Sequence, residues 1–208
     1  HNKASEPVML IAHDWGSFFA QNVYVRFKRK LNIAKMVLLD VGDGLDPDPA
    51  QQYKYAYMSV NGFAFCLPRF LGTWYLRRYY RSAIETGITL PVFRLEKQHN
   101  RRYFDSAMAY PYFNFLKMVL LNQTQKFSEI ALPDKLPQMD GLPIMFIDAA
   151  KGWNTRDPVR YYTPNFKKFI EERDYCQFVS FDCYHWIQDE EIGLPQKLNT
   201  TIYDFLRK

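Results

Sequence analysis

The 208-residue sequence has few cysteines. Cys66, Cys176 and Cys183 are the only three, an odd number with no Cys-x-x-Cys pair. Neither a disulfide framework nor a zinc site is indicated. A reducing compartment, the cytoplasm, is the expected location. No apolar stretch approaches the roughly 18 residues needed to span a bilayer. Internal repeats and low-complexity tracts are missing too, and nothing calls for a metal or a cofactor. Long blocks of one charge are also lacking, although the formal net charge is +5. The densest basic runs are Arg26–Lys30 and Arg77–Arg78 with Arg81. They read as solvated helix faces, and no nucleic-acid partner is expected.

Hydrophobic residues make up 48% and charged residues 24%, an ordinary globular composition. Aromatics stand out at 17%, with 15 Tyr and 17 Phe. They favour an apolar core and aromatic-lined pockets. The length suits one domain, or one domain with a sizeable insertion.

Four short apolar runs read as parallel strands buried on both faces: Pro7–Ala12, Lys35–Asp40, Pro143–Asp148 and Gln177–Asp182. Helical patterns follow three of them, at Ser17–Lys30, Arg160–Arg173 and Pro195–Lys208. Alternating strand and helix implies an α/β fold with right-handed crossovers. Between the second and third strands, roughly Gly42 to Asp140, lies a long insertion without a strand pattern. It carries Tyr and Phe at helical spacing and is punctuated by Asp46-Pro47-Asp48-Pro49, Thr86-Gly87 and Leu132-Pro133. A helical lid over the sheet is expected there.

The most informative residues are Ala12-His13-Asp14-Trp15-Gly16-Ser17, between a buried strand and an amphipathic helix. Small residues two before and two after Asp14 suit a sharp, strained strand-to-helix turn. Such a turn lifts the central side chain above the sheet and sets a carboxylate at a helix N-terminus, which favours its anionic form. The backbone N–H of Trp15 would point at the reacting centre as an oxyanion donor. An Asp that merely caps the helix is the plainer reading. The distant His185, in Tyr184-His185-Trp186-Ile187-Gln188 after the last strand, argues for a nucleophile instead. A His at the carboxyl end of a strand sits where open α/β sheets place ligand chemistry.

His13-Asp14-Trp15-Gly16 resembles the nucleophile elbow of the α/β-hydrolase superfamily, in the Asp-nucleophile branch of epoxide hydrolases and haloalkane dehalogenases. The resemblance runs through elbow, next strand, lid and the histidine loop at His185. It implies the C-terminal half of an α/β-hydrolase fold: a parallel sheet with flanking helices and a helical lid insertion. The implied parts are a core at 1–41, a lid at 42–140 and the returning core at 141–208. It also implies a two-step reaction. Asp14 attacks an electrophilic carbon of a small or lipophilic substrate and forms an ester, and His185 then activates water to hydrolyse it. His13 has a family equivalent that is not the base, and His99 reads as solvated.

A carboxylate should orient His185. The family commonly places that acid at a position that falls at or near Gly152, which has no side chain for the task. Asp157 and Asp40 remain as candidates, with Asp40 preferred. Epoxide hydrolases also use lid tyrosines to protonate the leaving oxygen. Tyr110 and Tyr112, in Tyr110-Pro111-Tyr112, resemble one such region. A dehalogenase would instead need two halide donors, for which the indoles of Trp15 and Trp74 are available. The family's sheet has four more strands before the elbow, with a His-Gly-x-Pro turn that gives the second oxyanion donor. Those strands have no counterpart here, and the polar opening residues His1–Glu6 read as a cut end. Strand 7–12 should then be an exposed apolar edge. Either a preceding segment or a second chain is expected to pair along it, the first being preferred. A catalytically inactive relative that acts as a binding protein is the competing reading.

Overall fold

The structure, a computed structural model, describes residues 6–28, 30–43, 53–85, 106–121, 133–151, 160–183, 185, 187–188 and 194–208. Four strands form one parallel sheet: β1 (Val8–His13), β2 (Ile33–Leu39), β3 (Ile144–Ala149) and β4 (Gln177–Phe181). Their order in the sheet is their order in the chain. Each lies within two residues of the run that the sequence marks. Helices α1 (Trp15–Phe27), α5 (Pro164–Glu171) and α6 (Pro195–Arg207) pack around it. The chain divides into two compact units, one of residues 1–46 with 131–208 and one of 47–130.

Alternation along the strands separates two apolar layers. Met36, Leu38, Ile144 and Phe146 face one side, with Phe166, Phe169 and Ile170 of α5. Val37, Leu39, Met145 and Ile147 face the other, with Leu198, Ile202 and Phe205 of α6. Both layers are apolar because β2 and β3 are covered on both faces, as their near-continuous apolar runs require. Helix α5 starts where Thr163 caps it: its Oγ1 accepts the N–H of Phe166 at 3.1 Å. Asp43 in turn accepts the Thr163 N–H at 2.7 Å and its hydroxyl, so the end of β2 is tied to the start of α5.

The 3-10 segment Pro133–Met139 falls within the lid range that the sequence suggests. Its Leu136 and Met139 are buried among the residues of the first layer, which assigns this segment to the sheet unit. Among the described residues β1 pairs with β2 alone. Its Met9 and Ile11 lie on the α6 side of the sheet, in register with Lys35 and Val37, and both are exposed.

In the second unit every described residue of 53–85 and 106–121 is in a helix or a turn. Helix α3 (Arg69–Glu85) folds back on α2 (Tyr53–Cys66), and α4 (Tyr110–Leu120) packs on α2. Glycines permit the close approach. A Cβ at Gly72 would lie 2.1 Å from the Ala64 carbonyl oxygen, and one at Gly62 would lie 2.7 Å from that of Tyr112. All three cysteines are free thiols. No helix of the described residues is long and apolar enough to cross a membrane.

Candidate active site

Among the described residues, the two with positive φ that are not glycine directly follow β1 and β2. Asp14 has φ 53° and ψ −126°, and Asp40 has φ 61°. A non-glycine residue in such a region stores of order 1–3 kcal/mol, and such outliers gather at functional sites. The turn at Asp14 is held from below. Ser17, in the first turn of α1, donates its hydroxyl to the Ala12 carbonyl at 2.8 Å and accepts the Leu39 N–H at 3.3 Å. Gln21, one turn on, donates to the Gly42 carbonyl at 2.7 Å. A hydroxyl and an amide buried in α1 thus lock the helix to both strand ends.

Gly16 differs from the expectation. A Cβ there would meet only Ala12, at an ordinary 3.8 Å. Among the described residues, nothing crowds this turn at Gly16.

His185 reaches the site from the loop after β4 and is fully buried. Its Nδ1 lies 2.6 Å from Asp40 Oδ2, and its Nε2 lies 3.8 Å from Asp14 Oδ2. The first contact is a charge-assisted hydrogen bond. The second is an electrostatic contact, beyond hydrogen-bonding distance. Asp40 is itself fixed, since its Oδ1 accepts the Ala149 N–H at 3.0 Å. Asp14 keeps 27% of its side chain exposed, whereas Asp40 and His185 are closed off from solvent. Of the three, Asp14 is the one open to a substrate.

Electrostatics follow from this arrangement. Burial resists the charge on His185, but the negative fields of Asp14 and Asp40 and the hydrogen bond to Asp40 outweigh it and push its pKa up to about 9. Burial also resists ionisation of Asp14. His185, His13 and the Trp15 N–H more than offset that and hold its carboxyl below the usual range. At Asp40 burial prevails over His185 and raises the pKa. Proximity to His185 thus holds the exposed carboxylate ionised.

His13 has a part that the sequence did not reveal. Its ring is 4.5 Å from that of His185, and its Nε2 lies 2.9 Å from the His185 carbonyl oxygen. A carbonyl only accepts, so Nε2 carries the hydrogen. Nδ1 then accepts from the Gln188 amide at 3.4 Å. Burial, then the positive field of His185, lower the His13 pKa to about 4, so the ring is neutral and fixed in that tautomer. The signal in the sequence was its place in the turn, beside Asp14.

A third carboxylate stands nearby. Asp148, at the end of β3, is buried and paired with Arg160 at 2.9 Å and with the Ser180 hydroxyl at 2.8 Å. Arg160 also donates to the Ala149 carbonyl. This pairing answers a negative charge close enough to raise the Asp40 pKa.

The structure brings Asp14, Asp40, His185 and the backbone of Trp15 together. The Trp15 indole stacks on Phe19 and meets Phe18 edge-on, both at 6.0 Å. Gly152 and Asp157 lie outside the described residues. Tyr110 and Tyr112 belong to the second unit, where the exposed Tyr110 packs beside Phe65. The described residues contain no cluster of His, Cys, Asp and Glu fit to hold a metal ion.

No protein-family model matches the sequence, and no curated protein matches it. Solved structures do. An esterase from a marine microorganism matches with a TM-score of 0.51 at 14% identity, over 96% of this chain and 70% of that one. A point mutant of the epoxide hydrolase from Solanum tuberosum matches with a TM-score of 0.50 at 15% identity, over 98% of this chain and 70% of that one. The fold is that of the α/β-hydrolases.

Proposed function

We propose that this chain carries the centre of a hydrolase of the epoxide-hydrolase type, with Asp14 as nucleophile, His185 as general base and Asp40 as its orienting acid. The observation that supports it is the fully buried His185 held between a partly exposed and a buried carboxylate. A binding protein without chemistry has no need of a strained, ionised carboxylate facing an imidazole.

The charges suggest how the steps follow one another. Before reaction His185 is an imidazolium paired with the Asp14 carboxylate. A carboxylate oxygen of Asp14 attacks an epoxide carbon, the ring C–O bond breaks, and the freed oxygen takes a proton from an O–H donor. Tyr110 and Tyr112 are the candidates for that donor. The new ester carries no charge, so one of the two groups that raise the His185 pKa is gone. The imidazolium then releases its proton through solvent to the spent O–H donor, which is restored, and the neutral imidazole can act as a base. Water gives a proton to Nε2 and adds to the ester carbonyl, and the Trp15 N–H is suited to the oxyanion. The adduct collapses, the leaving alkoxide takes the proton held at Nε2 to complete the diol, and the Asp14 acid returns its own proton to His185, which restores the ion pair. The substrate class proposed is a small or lipophilic electrophile. The three free thiols support a reducing, cytoplasmic setting.

Asp14→Asn is the test. Epoxide opening should be abolished, and mass spectrometry of His185→Gln should find the alkyl-enzyme ester accumulating on the Asp14 peptide. Unchanged turnover in Asp14→Asn would overturn the mechanism.

A further inference from the structure

Residues 49–84 contain five Lys or Arg and no Asp or Glu, so the rest of the chain carries 22 charges of each sign. The entire formal net charge therefore belongs to a 36-residue stretch, most of which is the α2–α3 hairpin. Helix α3 sorts its residues by face. Gly72 and Leu76 are buried, against α2 and the 3-10 turn Ser106–Ala109. Phe70, Trp74, Arg77 and Arg78 share the opposite face at spacings of four, seven and eight. Phe70 is 74% exposed and Trp74 62%. Leu71 beside them and Phe63 on α2 are exposed as well, and the Phe63 ring meets Tyr75 at 5.8 Å. The apolar group sits by the Leu67–Pro68 turn, and the exposed arginines come one to two turns further along.

We propose that this hairpin docks on the surface of an anionic phospholipid bilayer. An exposed aromatic tip with arginines behind it matches the layering of a membrane interface. Trp and Phe lie at the headgroup–acyl boundary, and guanidinium groups reach phosphates. Charge selects the partner. A stretch with five cations and no anion is complementary to an anionic leaflet, and a neutral apolar partner would not require it. The mode is one of lying on the bilayer, in keeping with the shortness and polarity of the described helices. This surface lies outside the Asp14 chemistry, so its test needs no activity assay.

The experiment is co-sedimentation of the full chain with phosphatidylcholine vesicles, with and without phosphatidylglycerol, at several salt concentrations. Binding should require phosphatidylglycerol, weaken with salt and shift the Trp emission to the blue, a shift reduced in Trp74→Phe. Arg77→Gln with Arg78→Gln should weaken binding about thirtyfold, from the usual worth of two cations near a charged bilayer. Phe70→Ser with Trp74→Ser should weaken it about tenfold or more through lost apolar burial. All four side chains are exposed, and circular dichroism would verify that both variants fold. Failure of the wild type to bind phosphatidylglycerol vesicles would overturn the proposal, as would binding that neither double variant alters. Self-association without lipid that Phe70→Ser with Trp74→Ser abolishes would assign the surface to a second copy and overturn it too.

Discussion

His185 Nδ1 and Asp40 Oδ2 are 2.6 Å apart although 145 residues separate them in the chain. Two strand registers set that distance: Asp40 directly follows β2, and β4 delivers the loop that carries His185. Asp40→Asn keeps the shape and removes the charge that favours the imidazolium. Turnover should fall about 10²–10⁴-fold, the usual worth of a positioned base. Stopped-flow with a fluorescent epoxide checks it, and the ester should accumulate because its hydrolysis suffers most.

The two histidines should give folding stability a maximum near pH 6.5. The His185 pKa is raised to about 9, so the stability it contributes is fully present below the unfolded value of 6.5 and is lost as pH rises toward 9. The His13 pKa is lowered to about 4. The unfolded chain therefore gains a proton first, and stability falls as pH drops from 6.5 toward 4. Each limb is worth of order 3 kcal/mol. Urea unfolding across pH measures both. His185→Gln should flatten the alkaline limb and His13→Gln the acid limb.

His13→Gln has a further reading in turnover. The tautomer assigned above makes His13 a positioning residue that holds the His185 carbonyl. Asn or Gln at that position can donate in place of Nε2, whereas Ala cannot. Turnover should fall about tenfold or more in His13→Ala and be partly rescued in His13→Gln. Equal loss in both variants would assign His13 to packing alone.

Arg160→Met should destabilise the fold by about 3 kcal/mol or more, because the buried Asp148 carboxylate is left without its cation. Adding Asp148→Asn should recover much of the loss. A double-mutant cycle followed by thermal unfolding separates the pair from simple packing.

Two glycines near the site should respond differently to alanine. At Gly42 a Cβ would lie 2.7 Å from both Tyr162 Cβ and the Phe166 ring, so Gly42→Ala should cost about 1–3 kcal/mol. At Gly16 the nearest atom is 3.8 Å away, and Gly16→Ala should be neutral within about 1 kcal/mol. Denaturant midpoints at constant slope compare them.

The sheet was legible because its physics is local. Strands buried on both faces are written as apolar runs such as Met36–Leu39, and no other element here looks like them. Asp14 was legible through its setting, between such a run and a helix. The partner of His185 was less so. Asp40 and Asp157 are both carboxylates after strands, and only the pairing of β2 with β3 brings Asp40 to the imidazole. The His13 clamp and the Arg160–Asp148 pair could not be read at all, since each joins segments through register rather than through spacing. Gly16 was over-read. The pattern of small residues around Asp14 is present, but a Cβ at Gly16 would meet Ala12 only at an ordinary distance. The 3-10 segment Pro133–Met139 was hidden by its prolines, which look like loop punctuation while Leu136 and Met139 fill the core.

Asp14 also sets folding against chemistry. Its φ of 53° and ψ of −126° suit glycine far better than any residue with a side chain. Asp14→Gly would relieve that strain and remove the group that could attack a substrate. A library of this chain screened for heat resistance alone should therefore enrich glycine at position 14, and the survivors would be enzymatically silent. Thermal selection on this scaffold has to be coupled to a turnover screen, or it will erase the site it is meant to harden.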